Sequence, residues 1–151
     1  MSFKVRDIMV REVITAKSDI SIKEAAKIMS KHNIGCLIIT KNGKPEGIIT
    51  ERDLLTRVLA EGRNPDETKV GDVMSKPVIC GNPDMDLEEA AKFMIKKKIK
   101  KLPIVEAGKL IGIITLTDLV RSQPYVIELL EDILSSEYLP ARFTKVIRRR
   151  I

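Results

Sequence analysis

Two threonine–aspartate pairs are the residues of this chain best suited to bind a ligand. Each pair follows an apolar Gly-Ile-Ile run, in the segments Gly47–Asp53 and Gly112–Asp118. The pattern predicts a strand that ends at the threonine and a helix that begins two or three residues later. The threonine hydroxyl and the backbone N–H groups at the start of that helix could bind an anion. The aspartate could accept two hydrogen bonds from a vicinal diol such as a ribose.

The same residues could instead have a structural role only. Threonine and aspartate at the start of a helix are common caps of its first N–H groups. A duplicated fold needs its caps twice, so finding the pattern in two places does not separate a cap from a binding site. Both interpretations stay open at this point.

Few other residues could support catalysis. The chain has one histidine, His32, and two cysteines, Cys36 and Cys80, which lack CxxC spacing. These numbers argue against a histidine-based triad and against a histidine-rich metal site. Both cysteines lie in apolar runs, which predicts small buried side chains. We therefore expect no metal ion and no enzymatic activity, and we expect His32 to be exposed or to cap a helix.

The composition is that of a globular protein. Of 151 residues, 44% are hydrophobic and 32% are charged, and no apolar run reaches the roughly 20 residues of a membrane-spanning helix. An apolar leader is not found at the N-terminus, so we expect a cytoplasmic protein. Aromatic residues make up only 3%, without tryptophan, which argues against a stacking surface for single-stranded nucleic acid.

The chain is a tandem repeat. A shift of 65 residues aligns residues 4–57 with residues 69–122 without a gap, and roughly 24 of the 54 aligned positions are identical, far more than chance would give. We therefore divide the chain into a first repeat (1–60), a polar linker (61–68), a second repeat (69–122) and a C-terminal segment (123–151).

The sequences of the two repeats predict the same order of elements. Each has a helical turn, a short strand (13–15 in the first repeat, 78–80 in the second), an amphipathic helix, two strands and a final helix. Ser21 and Asp86 precede the amphipathic helices, each with glutamate three residues on, which is capping-box spacing. The sequences at 41–44 and 106–109 have hairpin-turn composition. One repeat alone is too small to bury much surface. The predicted fold class is therefore α/β, with two β-α-β-β-α repeats packed about a pseudo-two-fold axis as one module.

In this order and spacing the motifs resemble a tandem pair of cystathionine β-synthase (CBS) domains over about residues 4–122. The resemblance is carried by KVRDIM and KVGDVM, by KEAAKIM and EEAAKFM, by IGCLIIT and KKLPIV, and by the two GIIT-xx-D endings. It implies a non-catalytic regulatory module that binds adenosine-containing ligands (AMP, ADP, ATP or S-adenosylmethionine) in clefts between the two repeats. It also implies a homodimer.

The resemblance also implies roles for individual positions. The two aspartates would bind ribose hydroxyls, and the two threonines would lie against ribose or phosphate. Short segments before the amphipathic helices would line the adenine, and basic residues would meet phosphates. The implied ligand-binding residues are Ile14, Thr15, Thr50, Arg52, Asp53, Ile79, Cys80, Lys100, Lys101, Pro103, Thr115 and Asp118.

The basic residues differ between the repeats. Arg52 corresponds to Thr117, and Gly35–Cys36 corresponds to Lys100–Lys101. Since phosphates are bound by lysine and arginine, we predict one tight ligand site and one weaker site. The lysines at 96–98 are expected to be solvated and to complement the end of a helix.

The C-terminal segment lies outside the repeat. Residues 125–139 are acidic and amphipathic, which predicts a helix that packs on its own domain or on a partner subunit. Residues 141–151 carry five arginines and lysines and no acid, so this tail accounts for most of the net charge of +6. The charge therefore gives no support to a DNA-binding face on the repeats.

Two other functions remain open. A protein that binds nucleic acid or a partner protein would use the basic tail and the lysine run at 96–101, and its nucleic-acid binding would fall steeply with salt. A purely structural dimer would have lost ligand binding. In that case, substitution of Asp53 or Asp118 by alanine would change no ligand response.

Overall fold

A computed structural model describes residues 3–122, and its elements follow the order expected for a repeated α/β fold. The first repeat contains α1 (Val5–Ile8), β1 (Thr15–Ala16), α2 (Ile22–His32), β2 (Cys36–Lys41), β3 (Lys44–Thr50) and α3 (Glu51–Asp53), which continues as a π-helix over Leu54–Leu59. The second contains α4 (Val70–Val73), α5 (Leu87–Lys97), β4 (Lys101–Glu106), β5 (Lys109–Thr115) and α6 (Leu116–Ser122). The helix predicted at 125–139 and the basic tail lie outside the described residues.

The chain forms two compact units, and each unit combines parts of both repeats. Unit A contains residues 12–79 and 105–111. Unit B contains, among the described residues, 3–11, 80–104 and 112–122. The opening helix of each repeat is therefore exchanged, because α4 lies in unit A and α1 in unit B. The boundaries predicted from the sequence follow the repeats and stay predictions.

Unit A is built on a three-stranded sheet of order β1-β2-β3. Strand β1 pairs with β2 in parallel, with Thr15 beside Ile38, and β2 pairs with β3 in antiparallel, with Cys36 beside Thr50. The apolar stripe predicted for α2 faces this sheet. A single core results, made of Ile22, Ala25, Met29, Leu37, Ile39, Ile49, Val58, Val70, Val73 and Met74.

Unit B contains the amphipathic helix α5 and most of the two-stranded sheet β4-β5, whose hairpin end at residues 105–111 belongs to unit A. The helix buries its apolar face, as the sequence pattern predicts. Its largest fully buried residues belong to α1, α5, both strands and α6: Val5, Leu87, Met94, Leu102, Ile104, Ile114 and Leu119.

The segment after each opening helix is bonded to a strand of the unit in which that helix lies, and the hydrogen bonds are equivalent in the two units. In unit A the backbones of Ile48 and Ser75 exchange two N–H···O bonds, of 3.0 and 2.8 Å. In unit B the backbones of Val10 and Ile113 exchange two of 2.9 Å each. These positions correspond under the shift of 65 residues, so the exchange is a feature of the repeat.

The predicted hairpin turns are confirmed. Asn42 and Gly43 have positive φ of 53° and 78°, and Ala107 and Gly108 have φ of 51° and 78°. Two successive residues with positive φ are the signature of a type I′ turn, which matches the twist of paired strands.

The helix caps and short strands differ in detail from the prediction. Ser21 caps α2, because its Oγ accepts a 3.1 Å bond from the Glu24 N–H. Asp86 is the N-cap residue of α5, but its side chain makes no cap bond and instead accepts a 2.7 Å bond from Lys4 Nζ. The capping box predicted at Asp86 is therefore wrong.

The strand predicted at 78–80 is also wrong, because these residues have no strand pairing and only the next residue, Gly81, makes a single parallel bridge, with Ile104. In the first repeat the short strand begins two residues later than predicted, at Thr15, and ends at Ala16.

Exposed polar side chains end the amphipathic helices. His32 is the exposed last residue of α2, and Asn33 follows it as a left-handed C-cap. Lys96 and Lys97 end α5, and all three lysines at 96–98 are exposed as expected. Across residues 3–122, no helix combines the length and the apolar character needed to cross a membrane.

Candidate functional site

Thr50 and Asp53 are bonded to each other at the end of β3. The Asp53 N–H donates to Thr50 Oγ1 at 3.1 Å, and the Thr50 N–H donates to Asp53 Oδ2 at 3.0 Å. These reciprocal bonds form a capping box, which fixes where the strand ends and the helix begins. The arrangement also holds the threonine hydroxyl and the aspartate carboxylate next to each other.

Thr115 and Asp118 form the same arrangement at the end of β5. The two equivalent bonds are both 3.1 Å long. The structural role considered from the sequence is therefore confirmed for both pairs. A capping aspartate uses one oxygen in this bond, and the other can still accept hydrogen bonds from a ligand.

The N–H groups that begin α3 and α6 are mostly occupied. Besides the two capping bonds, the Glu51 N–H donates to the Gly35 carbonyl at 3.0 Å, and the Leu116 N–H donates to the Lys100 carbonyl at 3.0 Å. The remaining amide of each first turn is that of Arg52 or Thr117. The expectation of several free amides for an anion is therefore wrong, because the fold uses most of them itself.

The segment expected to line the adenine begins at the sheet edge where Thr50 ends β3. Thr15 is exposed and pairs with Ile38 of the central strand β2. Thr50 pairs with Cys36, which stands two residues before Ile38 in β2. The start of β1 and the end of β3 are thus separated by two strand spacings, about 10 Å across the sheet, and are offset by two residues along β2. The side chain of Ile14 packs partly against the core of unit A.

The corresponding segment of the second repeat is less regular. Ile79 is exposed and Cys80 is half-buried, and the next residue, Gly81, donates its N–H to the Pro103 carbonyl at 2.9 Å. Burial raises the pKa of the Cys80 thiol. A raised pKa makes the thiol harder to ionise, which suits a packing residue better than a nucleophile.

The basic residues implied by the resemblance are accessible to different extents. Arg52 on α3 and Lys100 before β4 are exposed, whereas Lys101 is half-buried at the start of β4. Pro103 is buried within β4. Its side chain therefore contributes to packing, and its carbonyl is occupied by Gly81.

Arg57 is a further charged residue at the first pair, and the sequence interpretation missed it. Its Nε lies 3.6 Å from Asp53 Oδ1, and its Nη1 donates to the Val73 carbonyl at 2.9 Å. An arginine four residues after an aspartate on a helix was the available signal. The Asp53 side chain is only 11% exposed, so this arginine is the cation that balances a largely buried carboxylate.

The second pair has no such cation among residues 3–122. The position that corresponds to Arg57 is Ser122, whose Oγ donates to the Asp118 carbonyl at 2.8 Å. Asp118 is also more exposed than Asp53. The two aspartates therefore differ in electrostatic surroundings although their caps are the same.

Comparison with known proteins reveals close relatives. An uncharacterised protein of Methanopyrus kandleri is 43% identical over 133 residues, which cover 87% of this chain and 68% of the relative. The CBS domain-containing protein YhcV of Bacillus subtilis is 40% identical over 119 residues, 79% of this chain and 84% of YhcV.

A solved structure is also similar. It is a CBS domain pair in complex with 5′-methylthioadenosine and S-adenosyl-L-methionine, with 36% identity and a TM-score of 0.71, and the match covers 81% of this chain and 96% of that one. The family model for the CBS domain matches this chain twice, at residues 5–60 and 70–125. The repeats, their strand and helix order and these matches together establish that the chain belongs to the CBS-domain family and carries two CBS domains in tandem.

Proposed function

We propose that this chain is a non-catalytic sensor that binds adenosine-containing ligands (AMP, ADP, ATP or S-adenosylmethionine) at its two Thr-x-x-Asp motifs. The ribose hydroxyls would donate to the carboxylates of Asp53 and Asp118. Thr50 and Thr115 would lie against the ribose or phosphate. The other implied contacts would be the adenine-lining Ile14, Thr15, Ile79 and Cys80, the basic Arg52, Lys100 and Lys101, and Pro103.

The observation that carries the proposal is the state of the two carboxylates. In each motif one oxygen is held by the backbone N–H of the threonine, at 3.0 Å in one repeat and 3.1 Å in the other. The capping bond fixes the orientation of the carboxylate before any ligand arrives, so little side-chain entropy would be lost on binding. The second oxygen can accept hydroxyl donors, which is the chemistry that a ribose diol presents.

Because most amides of the first turns are occupied, they could contribute little to binding a phosphate. Since only the Arg52 and Thr117 amides remain in the first turns, the phosphate of a nucleotide would depend on side chains for most of its charge neutralisation. Arginine and lysine supply that by charge-assisted hydrogen bonds. The related CBS pair that holds two adenosine compounds without phosphate groups is consistent with nucleoside recognition being the common element.

Thermal unfolding with AMP, ADP, ATP, S-adenosylmethionine and GTP would test the proposal. A ligand at about 100 times its dissociation constant adds about 2.7 kcal/mol to the free energy of unfolding, which is a shift of several degrees for a chain of this size. We expect one or more adenosine ligands to give such a shift and GTP to give less. If none of these ligands stabilises the wild-type protein, the sensor proposal is wrong.

Asp53→Asn and Asp118→Asn are the informative variants. Asparagine keeps an acceptor for the cap but removes the charged carboxylate, so loss of the ligand shift would not simply report unfolding. Asp7→Asn is the matched control, because the Asp7 carboxylate also accepts an N-cap N–H, from Lys4 at 2.8 Å, outside the two motifs. The ligand shift should survive in Asp7→Asn and diminish in one or both of the other variants.

Cytoplasmic location and a homodimer are part of the same proposal, as is inequality of the two sites. A titration that resolves two affinities would support the inequality. Sedimentation equilibrium would measure the oligomeric state, and a monomer throughout would refute the dimer.

The second candidate function is binding of nucleic acid or of a partner protein through the basic tail and the lysine run. The exposed lysines at 96–98, beside Lys100, favour it. It predicts association with RNA or DNA that weakens steeply with salt and does not respond to AMP. Binding that persists after removal of residues 141–151 would exclude the tail as its source.

A further inference from the structure

Arg57 joins the carboxylate of the first motif to the opening helix of the second repeat. Its guanidinium lies 3.6 Å from Asp53 Oδ1 and donates a 2.9 Å hydrogen bond to the carbonyl of Val73. The first contact is an ion pair that is too long for a hydrogen bond, and the second is a good hydrogen bond. All three residues belong to unit A.

The Val73 carbonyl is a position where an arginine has structural consequences. Val73 is the last residue of α4, and the last carbonyls of a helix have no partner within the helix. The Arg57 guanidinium satisfies one of them and also places positive charge at the negative end of that helix. Arg57 therefore contributes to holding α4 in place.

The residues that follow α4 return to the strand that ends at the motif. The Ser75 backbone pairs with that of Ile48 through bonds of 3.0 and 2.8 Å, and Ile48 stands two residues before Thr50. A closed path of contacts thus runs from Asp53 through Arg57 and α4 to β3, and back to Asp53 through the capping box. Movement of any one member is constrained by the others.

We propose that Arg57 is a positioning residue for the first ligand site: it holds the Asp53 carboxylate in its ligand-accepting orientation and couples occupancy of that site to α4. This inference rests on the proposed function. Arginine suits the task because its planar guanidinium presents several donors in fixed directions, so that it can serve two acceptors together. Lysine, as a point charge on a flexible stem, would do so less well.

The second motif lacks this coupling. Ser122 occupies the corresponding position, and its hydroxyl bonds to the Asp118 carbonyl instead of to the carboxylate. The inequality between the two sites therefore has a source beyond the phosphate-facing residues. It lies in how firmly each aspartate is held.

The test compares Arg57→Ser, Arg57→Lys and the matched control Arg63→Ser, with AMP as the probe. Arg63 is a nearby exposed arginine that lines the same groove as Arg57, and it has no ion pair among the described residues. Without ligand, we expect Arg57→Ser to speed amide hydrogen exchange several-fold at Thr50, which donates to Asp53, and at Met74, which closes α4. Arg63→Ser should leave both rates unchanged.

With AMP, we expect Arg57→Ser to weaken binding at the Asp53 site about tenfold, the effect of losing an interaction with a charged group. Arg57→Lys should recover part of the loss, and Arg63→Ser should bind as the wild type does. The NMR signal of the Arg57 Nε–H should shift on addition of AMP in the wild type and in Asp118→Asn, but not in Asp53→Asn. A merely structural arginine would not produce this pattern.

The outcomes separate the inference from the function on which it rests. Unchanged exchange at Thr50 and Met74 in Arg57→Ser would overturn the coupling through Arg57, whatever AMP does. AMP binding of wild-type strength in Arg57→Ser would overturn its role at the ligand site while leaving the sensor proposal intact. If the wild type binds no adenosine ligand, the proposed function fails and the ligand role of Arg57 fails with it, whereas accelerated exchange would still establish the link to α4.

Discussion

Met74 packs against the Cα of Gly47 so closely that the glycine has no room for a side chain. A β-carbon at Gly47 would overlap the Met74 sulfur and lie 2.8 Å from its Cγ. The same relationship recurs in unit B, where a β-carbon at Gly112 would lie 2.6 Å from Met9 Sδ. The exchanged opening segments are thus seated on the strands that lead to the two Thr-x-x-Asp motifs. This contact explains why each of those strands contains a glycine at that position.

Substitution of these glycines by alanine should destabilise the protein. Gly47→Ala forces a buried methionine to move, and overpacking of this kind costs about 1–3 kcal/mol. Gly112→Ala should cost more, since its β-carbon would also lie 3.0 Å from the Val10 carbonyl oxygen, which is backbone and cannot rotate away. Urea unfolding at equilibrium would measure both.

The double variant Gly47→Ala/Met74→Ala identifies the contact responsible. If the methionine causes the strain, the double variant should lose less stability than the sum of the two single variants, which is the signature of directly contacting residues. Strictly additive losses would assign the glycine effect to some other neighbour.

Substitution of Ala107 by asparagine should stabilise the protein. Its φ is 51°, a left-handed conformation that costs a residue with a β-carbon about 1 kcal/mol, and the corresponding turn position of the first repeat is Asn42, with φ of 53°. Ala107→Asn should therefore raise the free energy of unfolding by about 0.5–1 kcal/mol, because asparagine tolerates this region. Thermal unfolding of the single variant would measure the gain.

The reciprocal variant supplies the control. Asn42→Ala should lower stability by a similar amount, because it makes the first turn resemble the second. Equal stability of wild type, Ala107→Asn and Asn42→Ala would contradict the assignment of strain to this position.

The repeat made most of the fold predictable. Because the aligned motifs give two copies of each pattern, the amphipathic helices, the strand pairs and both hairpin turns could be placed from the sequence. The Thr-x-x-Asp spacing by itself also predicts a capping role. Local patterns suffice for these elements because helix periodicity, capping and tight turns each depend on residues that are close together in the chain.

The differences from prediction arise where a residue has a distant partner. Asp86 was expected to cap its own helix, but Lys4 lies 2.7 Å from its carboxylate and takes its place as partner. Arg57 donates to Val73, sixteen residues away. The placement of α1 and α4 likewise involves distant contacts, of Met9 with Gly112 and of Met74 with Gly47. A local pattern of neighbouring residues does not reveal such pairs.

The threonine hydroxyls should contribute measurably to stability. Thr50→Val and Thr115→Val keep the shape of the side chain but remove the acceptor of the aspartate N–H, so each should cost about 1 kcal/mol, the usual effect of losing an N-cap. Thr50→Ser and Thr115→Ser retain the hydroxyl and should lose much less. Denaturant titration of the four variants would separate the hydroxyl from the methyl group, and equal losses for valine and serine would rule out the capping bond as the cause.

Cys80 should react slowly with alkylating reagents near neutral pH. Burial raises the pKa of this thiol, so the reactive thiolate is scarcer than for an exposed cysteine at the same pH. The rate of alkylation by iodoacetamide should therefore be low at pH 7 and rise steeply as the pH exceeds the ordinary cysteine range. Cys36 is 7% exposed and should contribute little, which Cys80→Ser would verify by abolishing most of the modification.

The same shift predicts a pH dependence of stability. A thiol whose pKa is raised by folding ionises first in the unfolded chain, so the unfolded state holds fewer protons once the pH passes the ordinary cysteine value. Stability should then fall with rising pH above about 8.5, and part of that fall should disappear in Cys80→Ser.

Since Cys80 lies in the segment proposed to line the adenine, AMP should also slow the alkylation of its thiol at a fixed pH. The Asp7→Asn variant should behave as the wild type does. Rapid modification at pH 7 would contradict the raised pKa of the half-buried thiol. Slow modification that AMP leaves unchanged would remove Cys80 from the proposed adenine-lining residues.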